Sequence, residues 1–115
     1  MKRQLHLNLF IHSRGHHGAS WRHPLSSPLA LTDIRYYQDL AQRAEAGLFD
    51  SIFLADQLAL GDDASQAART WLEPGTVLAA VAAVTSRNGL FAQTPRTATE
   101  RTHTARAAGP VSHVT

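Results

Sequence analysis

The run from Ser51 to Ala55 is the feature that most constrains the fold. It is apolar throughout, without alternating polar side chains, which is typical of a strand buried on both faces of a parallel sheet. An amphipathic helical pattern precedes it. Thr32 is placed to cap this helix with Asp33 in the first turn, and Gly47 is placed to end it. A strand that directly follows such a helix predicts an α/β protein.

Patterns on either side extend this unit. Apolar residues alternate from Leu5 to Ile11, which predicts a first strand with one strongly apolar face. Pro74 suits a helix start, and the Ala- and Val-rich segment 76–87 predicts the second helix. A third strand is expected near 89–92. The order strand, helix, strand, helix, strand predicts consecutive βαβ units.

Composition excludes several classes of protein. The chain has 115 residues, about one domain in length, and no cysteine. It therefore has no disulfide framework, thiolate zinc site or cysteine nucleophile. His6 and Asn8 interrupt the first apolar run, so we expect no signal peptide, and no apolar stretch has the length of a membrane span. We expect a soluble cytoplasmic protein with no membrane partner.

The net charge of +2 belongs to the end of the chain. Basic and acidic residues are equal in number over 1–87. Residues 88–115 contain three arginines, Arg96, Arg101 and Arg106, and one acidic residue, Glu100. We expect a folded domain over 1–92 and an irregular, disordered basic tail over 93–115. A nucleic-acid-binding arm is an alternative, but the tail lacks lysine and stacking aromatics, so no nucleic-acid partner is expected. A small non-enzymatic α/β binding module is a further alternative.

Histidines cluster in a long loop predicted over 12–28. Their spacing matches no common metal-ligand pair and no acidic residue lies between them, so we expect no metal site. Solvated histidines are the simplest interpretation, and a role in a substrate pocket stays open. The four residues are His12, His16, His17 and His23.

Asp56 follows the buried strand directly. Residues at the carboxyl ends of parallel strands build the sites of βα proteins, and a carboxylate there can orient a polar ligand. An aspartate at this position can equally cap the following turn. The pattern alone leaves both interpretations open.

Four short segments, taken in order, resemble one enzyme family. They are Trp-Arg-His-Pro at 21–24, Ala-Gly-Leu-Phe-Asp at 46–50, Leu-Ala-Asp at 54–56 and Leu-Glu-Pro at 72–74. Together, over residues 4–87, they resemble the N-terminus of bacterial luciferase-like flavin-dependent monooxygenases. The resemblance is to the nitrilotriacetate monooxygenase component A group, with its dibenzothiophene-sulfone monooxygenase and streptogramin-synthase relatives.

The resemblance implies the N-terminal β-α-β-α-β portion of a TIM-type (β/α)8 barrel. It also implies that a separate NADH-dependent flavin reductase supplies reduced FMN, which reacts with O₂ to oxidise a small-molecule substrate. A homo-oligomer is compatible with the full-length family. Asp56 matches the family's flavin-contacting aspartate, and Thr94 matches a residue on the flavin phosphate side. His12, His17 and Trp21 fall in the loop at the barrel mouth, where they would line the substrate pocket; no catalytic residue is assigned.

The chain departs from the family pattern after Arg87. Asn88 stands where an apolar strand residue is expected, and the family's later motifs do not follow. Family members run to several hundred residues. We therefore expect a truncated or frameshifted reading of a longer gene. Because a barrel needs eight strands, three predicted strands cannot close one, and the chain alone is expected to be inactive.

Overall fold

The computed structural model describes residues 2–55 and 72–93, which form a small α/β structure. The helices and strands are β1 (Asn8–Phe10), α1 (Ile34–Ala46), β2 (Ser51–Leu54), α2 (Pro74–Ala82) and β3 (Gly89–Ala92). A short 3₁₀ turn, Ser20–Arg22, lies in the loop after β1. The predicted order of strands and helices is confirmed.

The three strands form a parallel sheet in the order β1-β2-β3. Leu9 pairs with Ile52, and Ile52 pairs with Leu90. At the next position of each strand, Phe10, Phe53 and Phe91 pair in the same order. Successive side chains of a strand point to opposite faces. The sheet thus has one aliphatic face and one face crossed by a row of three phenylalanines.

Both helices pack on the aliphatic face. Ile52 is fully buried there, and Leu54 is nearly so. Gln38 of α1 donates to the carbonyl of Ala80 in α2 at 3.0 Å, which ties the helices together. The buried core cluster consists of Ile11, Tyr36, Tyr37, Ala41, Ile52, Leu54, Val77, Leu78 and Val81.

The first strand is shorter than the alternation over 5–11 predicts. Leu5 is 88% exposed and Leu7 is 46% exposed. The partner strand begins only at Ser51, so the chain before Leu7 has no neighbouring backbone to pair with. At this end the Asp50 carboxylate accepts the backbone N–H of Leu7 at 2.7 Å. The limit of β1 is therefore set by where β2 starts.

The start of α1 differs by one residue from the prediction. Asp33, rather than Thr32, is the N-cap, and its carboxylate accepts the backbone N–H of Arg35 at 3.0 Å. The Arg35 guanidinium also donates to this carboxylate and holds the pKa of Asp33 below its ordinary value. Gly47 ends the helix as predicted. The left-handed residue that follows is Leu48, with φ 63°.

The second helix is shorter than the predicted segment 76–87. Glu73 caps it, with both carboxylate oxygens accepting backbone N–H groups, from Gly75 at 2.8 Å and from Thr76 at 2.7 Å. The helix ends at Ala82. Past Ala82 the backbone tightens, and the N–H of Val84 donates to the Val81 carbonyl at 3.0 Å. The backbone N–H groups of residues 86–88 then donate to the Glu45 carboxylate of α1.

The prediction that β2 is buried on both faces is only half right. Ile52 is buried against the helices, whereas Phe53 on the opposite face is half-buried. The expected third strand is confirmed over Gly89–Ala92. Within the described residues no helix is long and apolar enough to cross a membrane. The predicted basic tail, apart from Gln93, lies outside the described residues.

Candidate functional site

A cavity of about 200 Å³ lies at the carboxyl ends of β1 and β2. Parallel strands place their carboxyl ends at one edge of a sheet, and sites of βα proteins form there. The cavity also reaches α1 and the start of α2. Its lining consists of Phe10, Ile11, His12, Ser13, His16, Tyr37, Leu54, Ala55, Leu72 and Pro74.

Aromatic rings form much of one wall. His12 and His16 stack with ring centroids 5.4 Å apart and planes inclined by 25°. Phe10 contacts both, edge-on to His16 at 5.2 Å, and it also contacts Phe53 at 5.1 Å. A wall of flat rings is suited to a planar, largely apolar ligand group.

Two tyrosines of α1 hold the loop beside this cavity. The hydroxyl of Tyr36 donates to the Ser13 carbonyl at 2.8 Å, and that of Tyr37 donates to the Leu31 carbonyl at 2.7 Å. Burial raises the pKa of both phenols above the ordinary value of about 10. Both hydroxyls are therefore protonated donors at neutral pH, and they fix the two ends of the loop.

Arg14 fixes the loop from within. Its guanidinium donates to the backbone carbonyls of Ser27 and Leu29 and lies over the Tyr36 ring, 5.8 Å from the centroid. Ser13, just before it, has φ 51°, an uncommon value for a residue other than glycine. The long loop predicted from sequence is thus held to α1 by specific hydrogen bonds.

The structure separates the residues that the sequence assigned to a substrate pocket. His12 lines the aromatic cavity. His17 lines a second, open groove formed by the loop itself. Trp21 is 61% exposed, carries the Arg22 guanidinium 4.8 Å from its ring centroid, and lines neither space.

Asp56 and Thr94, the predicted flavin contacts, lie outside the described residues. Their neighbours in sequence are described. Ala55 lines the aromatic cavity, and the backbone N–H of Gln93 donates to the Leu54 carbonyl at 3.0 Å. Ala55 and Gln93 therefore stand directly after the carboxyl ends of β2 and β3.

Sequence reasoning missed three residues of this site. They are Phe10, His16 and Tyr37, of which the sequence analysis names only His16, as a member of the histidine cluster. The carboxyl-end position of Phe10 was a usable signal. Over residues 2–55 and 72–93, no group of three or more His, Cys, Asp or Glu side chains is placed to hold a metal ion.

Curated relatives match almost the whole chain. N-acetyl-S-(2-succino)cysteine monooxygenase of Bacillus subtilis (strain 168) is 40% identical, over 98% of this chain and 26% of that protein. Nitrilotriacetate monooxygenase component A of Aminobacter aminovorans is 35% identical, over 98% and 28%. Dibenzothiophene-sulfone monooxygenase of Rhodococcus erythropolis (strain XP) is 39% identical, over 91% and 26%. The chain spans about a quarter of the length of these relatives.

A solved structure shares the fold. It is riboflavin lyase (RcaE) with modified FMN and substrate riboflavin, with a TM-score of 0.77 and 25% identity over 97% of this chain and 28% of that one. No protein-family model matches the chain. The curated homologues of this chain are luciferase-like monooxygenases, and the solved structure that shares its fold is a flavin-dependent lyase. Nitrilotriacetate monooxygenase component A and dibenzothiophene-sulfone monooxygenase are among these homologues.

Proposed function

We propose that this chain forms part of the flavin and substrate site of a two-component FMN-dependent monooxygenase. A separate NADH-dependent flavin reductase would supply reduced FMN, and O₂ and a small organic molecule would be the substrates. The observation that carries the proposal is the aromatic cavity at the carboxyl ends of β1 and β2, in a chain related to these monooxygenases.

The sheet supports a barrel origin. Its strands follow one another in chain order, and βαβ connections are right-handed almost without exception, so both helices fall on one face. The other face carries the row of Phe10, Phe53 and Phe91, and Phe91 is 57% exposed. A singly wound sheet covers such a face by closing on itself. We infer that the chain corresponds to three strands of a (β/α)8 barrel.

The lining of the cavity fits part of a flavin. Phe10, His12 and His16 offer ring faces, and Leu54 and Leu72 offer aliphatic surface, which suit the face of a tricyclic ring. The volume of about 200 Å³ lies below the roughly 300–1,000 Å³ of sites that enclose a drug-sized ligand. The described residues therefore correspond to one wall of a site rather than all of it.

The residues have separate proposed roles. Bound reduced FMN would supply the two electrons with which one oxygen atom of O₂ enters the substrate while the other is reduced to water. Asp56 would accept hydrogen bonds from the flavin, and Thr94 would contact its phosphate side. His12, His17 and Trp21 would contact the substrate, while Tyr37 holds the loop that carries them.

The chain alone is proposed to be inactive because these residues supply only part of the site. Two of the relatives match 98% of the chain, so these alignments extend into residues 93–115. That this tail is an out-of-frame reading stays a prediction, which resequencing of the gene tests.

Heteronuclear NMR of the 115-residue chain, with reduced FMN added anaerobically, tests the proposal. We expect saturable shifts at residues 10–16 and 54–56 and at Leu72 and Thr94. His16→Ala removes one ring face and is expected to weaken binding up to about tenfold. His6→Ala, an exposed histidine outside the cavity, should change nothing.

Adding reductase, NADH and O₂ to the same sample should yield no oxygenated product. A cooperatively melting chain without any flavin-dependent shift would contradict the flavin site and favour a non-enzymatic binding module. Product formation would contradict the proposed inactivity.

A further inference from the structure

The loop between β1 and α1 forms a second, open groove of about 700 Å³. It shares no lining residue with the aromatic cavity. Its polar lining is almost entirely basic or hydroxylic. The residues are Arg14, His17, Ala19, Ser20, Arg22, His23, Pro24, Leu25 and Ser26.

The charge of this groove is uncompensated. Residues 12–32 contain two arginines and four histidines but no aspartate or glutamate. In the described part of the chain Arg35 and Arg43 pair with carboxylates, whereas neither Arg14 nor Arg22 has an acidic partner. Among the residues that the structure describes, the groove therefore presents positive charge without a counter-ion.

Two histidines of the groove are fixed as hydrogen-bond donors. The Nδ1 atom of His17 accepts the backbone N–H of Ala19 at 3.1 Å, and the Nδ1 atom of His23 accepts that of Leu25 at 3.1 Å. An accepting Nδ1 carries no proton, so the neutral ring holds its proton on Nε2. Each ring is thus left with an Nε2–H to donate to a ligand.

The groove is organised before any ligand arrives. Arg14 holds its floor through the carbonyls of Ser27 and Leu29, and turn hydrogen bonds run along it, from Ser20 to His17 at 2.9 Å and from Ser26 to His23 at 2.9 Å. A preformed set of donors binds with a smaller loss of conformational entropy.

We propose that this groove binds the carboxylate or phosphate group of a small organic anion. The Arg22 guanidinium and the Nε2–H groups of His17 and His23 donate to the anion, and Arg14 adds its positive charge. An anion suits the groove because all four groups favour negative charge and no carboxylate lies among its described lining residues. The proposal does not rest on flavin binding, since the groove shares no lining residue with the aromatic cavity. His17 is the one groove residue that is also among the proposed substrate contacts.

Titration of the full chain with succinate and with inorganic phosphate, at neutral pH and constant ionic strength, tests this. We expect saturable NMR shifts at residues 14–26. Arg22→Gln should weaken binding about tenfold because it removes a charge-assisted hydrogen bond. His17→Asn and His23→Asn should weaken it as well. An asparagine side chain can still accept the backbone N–H of the residue two positions later, but it lacks the Nε2–H donor.

Matched controls are Arg3→Gln and His6→Asn, which make the same changes outside the groove. Equal weakening by the controls, or no saturable shift with either anion, overturns the proposal. Tighter binding of succinate assigns the group to a carboxylate. If phosphate binds more tightly, and if FMN shifts the resonances of residues 14–26 while riboflavin does not, the bound group is a phosphate.

Discussion

Glu45 joins the end of α1 to the segment that leads into β3. Its carboxylate accepts the backbone N–H groups of Ser86 at 2.9 Å, Arg87 at 2.7 Å and Asn88 at 3.1 Å. These hydrogen bonds lower the pKa of Glu45 below its ordinary value of 4.5, and the one from Arg87 has the largest effect. One side chain thus holds the segment between the second helix and the third strand.

Glu45→Gln is expected to lower the free energy of unfolding at neutral pH and to reduce its dependence on acid. A carboxyl group with a lowered folded-state pKa stabilises the fold above its unfolded pKa, and this contribution is lost as the pH falls through the folded pKa. The window therefore lies below about pH 4.5. Urea titration across this range measures the effect. Asp39→Asn, which removes the same charge from an exposed pair with Arg43, is the control, and an equal acid dependence in both variants would contradict the role of Glu45.

At the scale of elements, the loop after β1 is the part on which both candidate binding spaces depend. Gly15 has φ +132°, and a Cβ atom there would lie 2.8 Å from the Ser20 hydroxyl oxygen. Gly18 has no atom within 4 Å of the corresponding position. Only the first of these glycines is required by the backbone and its surroundings.

Gly15→Ala is expected to lower the free energy of unfolding by about 1–2 kcal/mol, since it strains the backbone and crowds Ser20. It should also shift the NMR resonances of His16. Gly18→Ala, the matched control, should stay within about 0.5 kcal/mol of the parent chain. Denaturant unfolding measures both, and equal effects would show that the loop does not need the Gly15 conformation.

At the scale of the molecule, both described helices lie on the same face of the sheet. Phe91 is 57% exposed at the end of the phenylalanine row, and β1 and β3 each pair on one side only within the described residues. Exposed apolar faces and unpaired strand edges promote association.

We expect the purified chain to self-associate, and Phe91→Glu to weaken that association at least about tenfold by placing a charge on the apolar face. Leu5→Glu adds the same charge at an exposed leucine outside the sheet and is the control. Sedimentation velocity over a range of concentrations measures both. A monomeric parent chain would show that this face does not mediate self-association.

The order of strands and helices could be predicted from the sequence. The apolar run at 51–55, the helix stop at Gly47 and the third strand are local signals, because each depends on residues close together in the chain. The length of β1 and the end of α2 could not be predicted in this way. The first depends on where β2 begins, and the segment that follows α2 is held by Glu45, about forty positions away.

The candidate site likewise has features that the sequence predicts and features that only the tertiary structure shows. The sequence by itself determined the family, the α/β order and the presence of a histidine-rich loop, since these follow from residue identity and local pattern. Only the tertiary structure decided that His12 and His16 face an aromatic cavity with Phe10, while His17 and His23 face a basic groove. The physical reason is that residues adjacent in sequence are separated by the turns of the loop, which hydrogen bonds from Tyr36, Tyr37 and Arg14 fix in place.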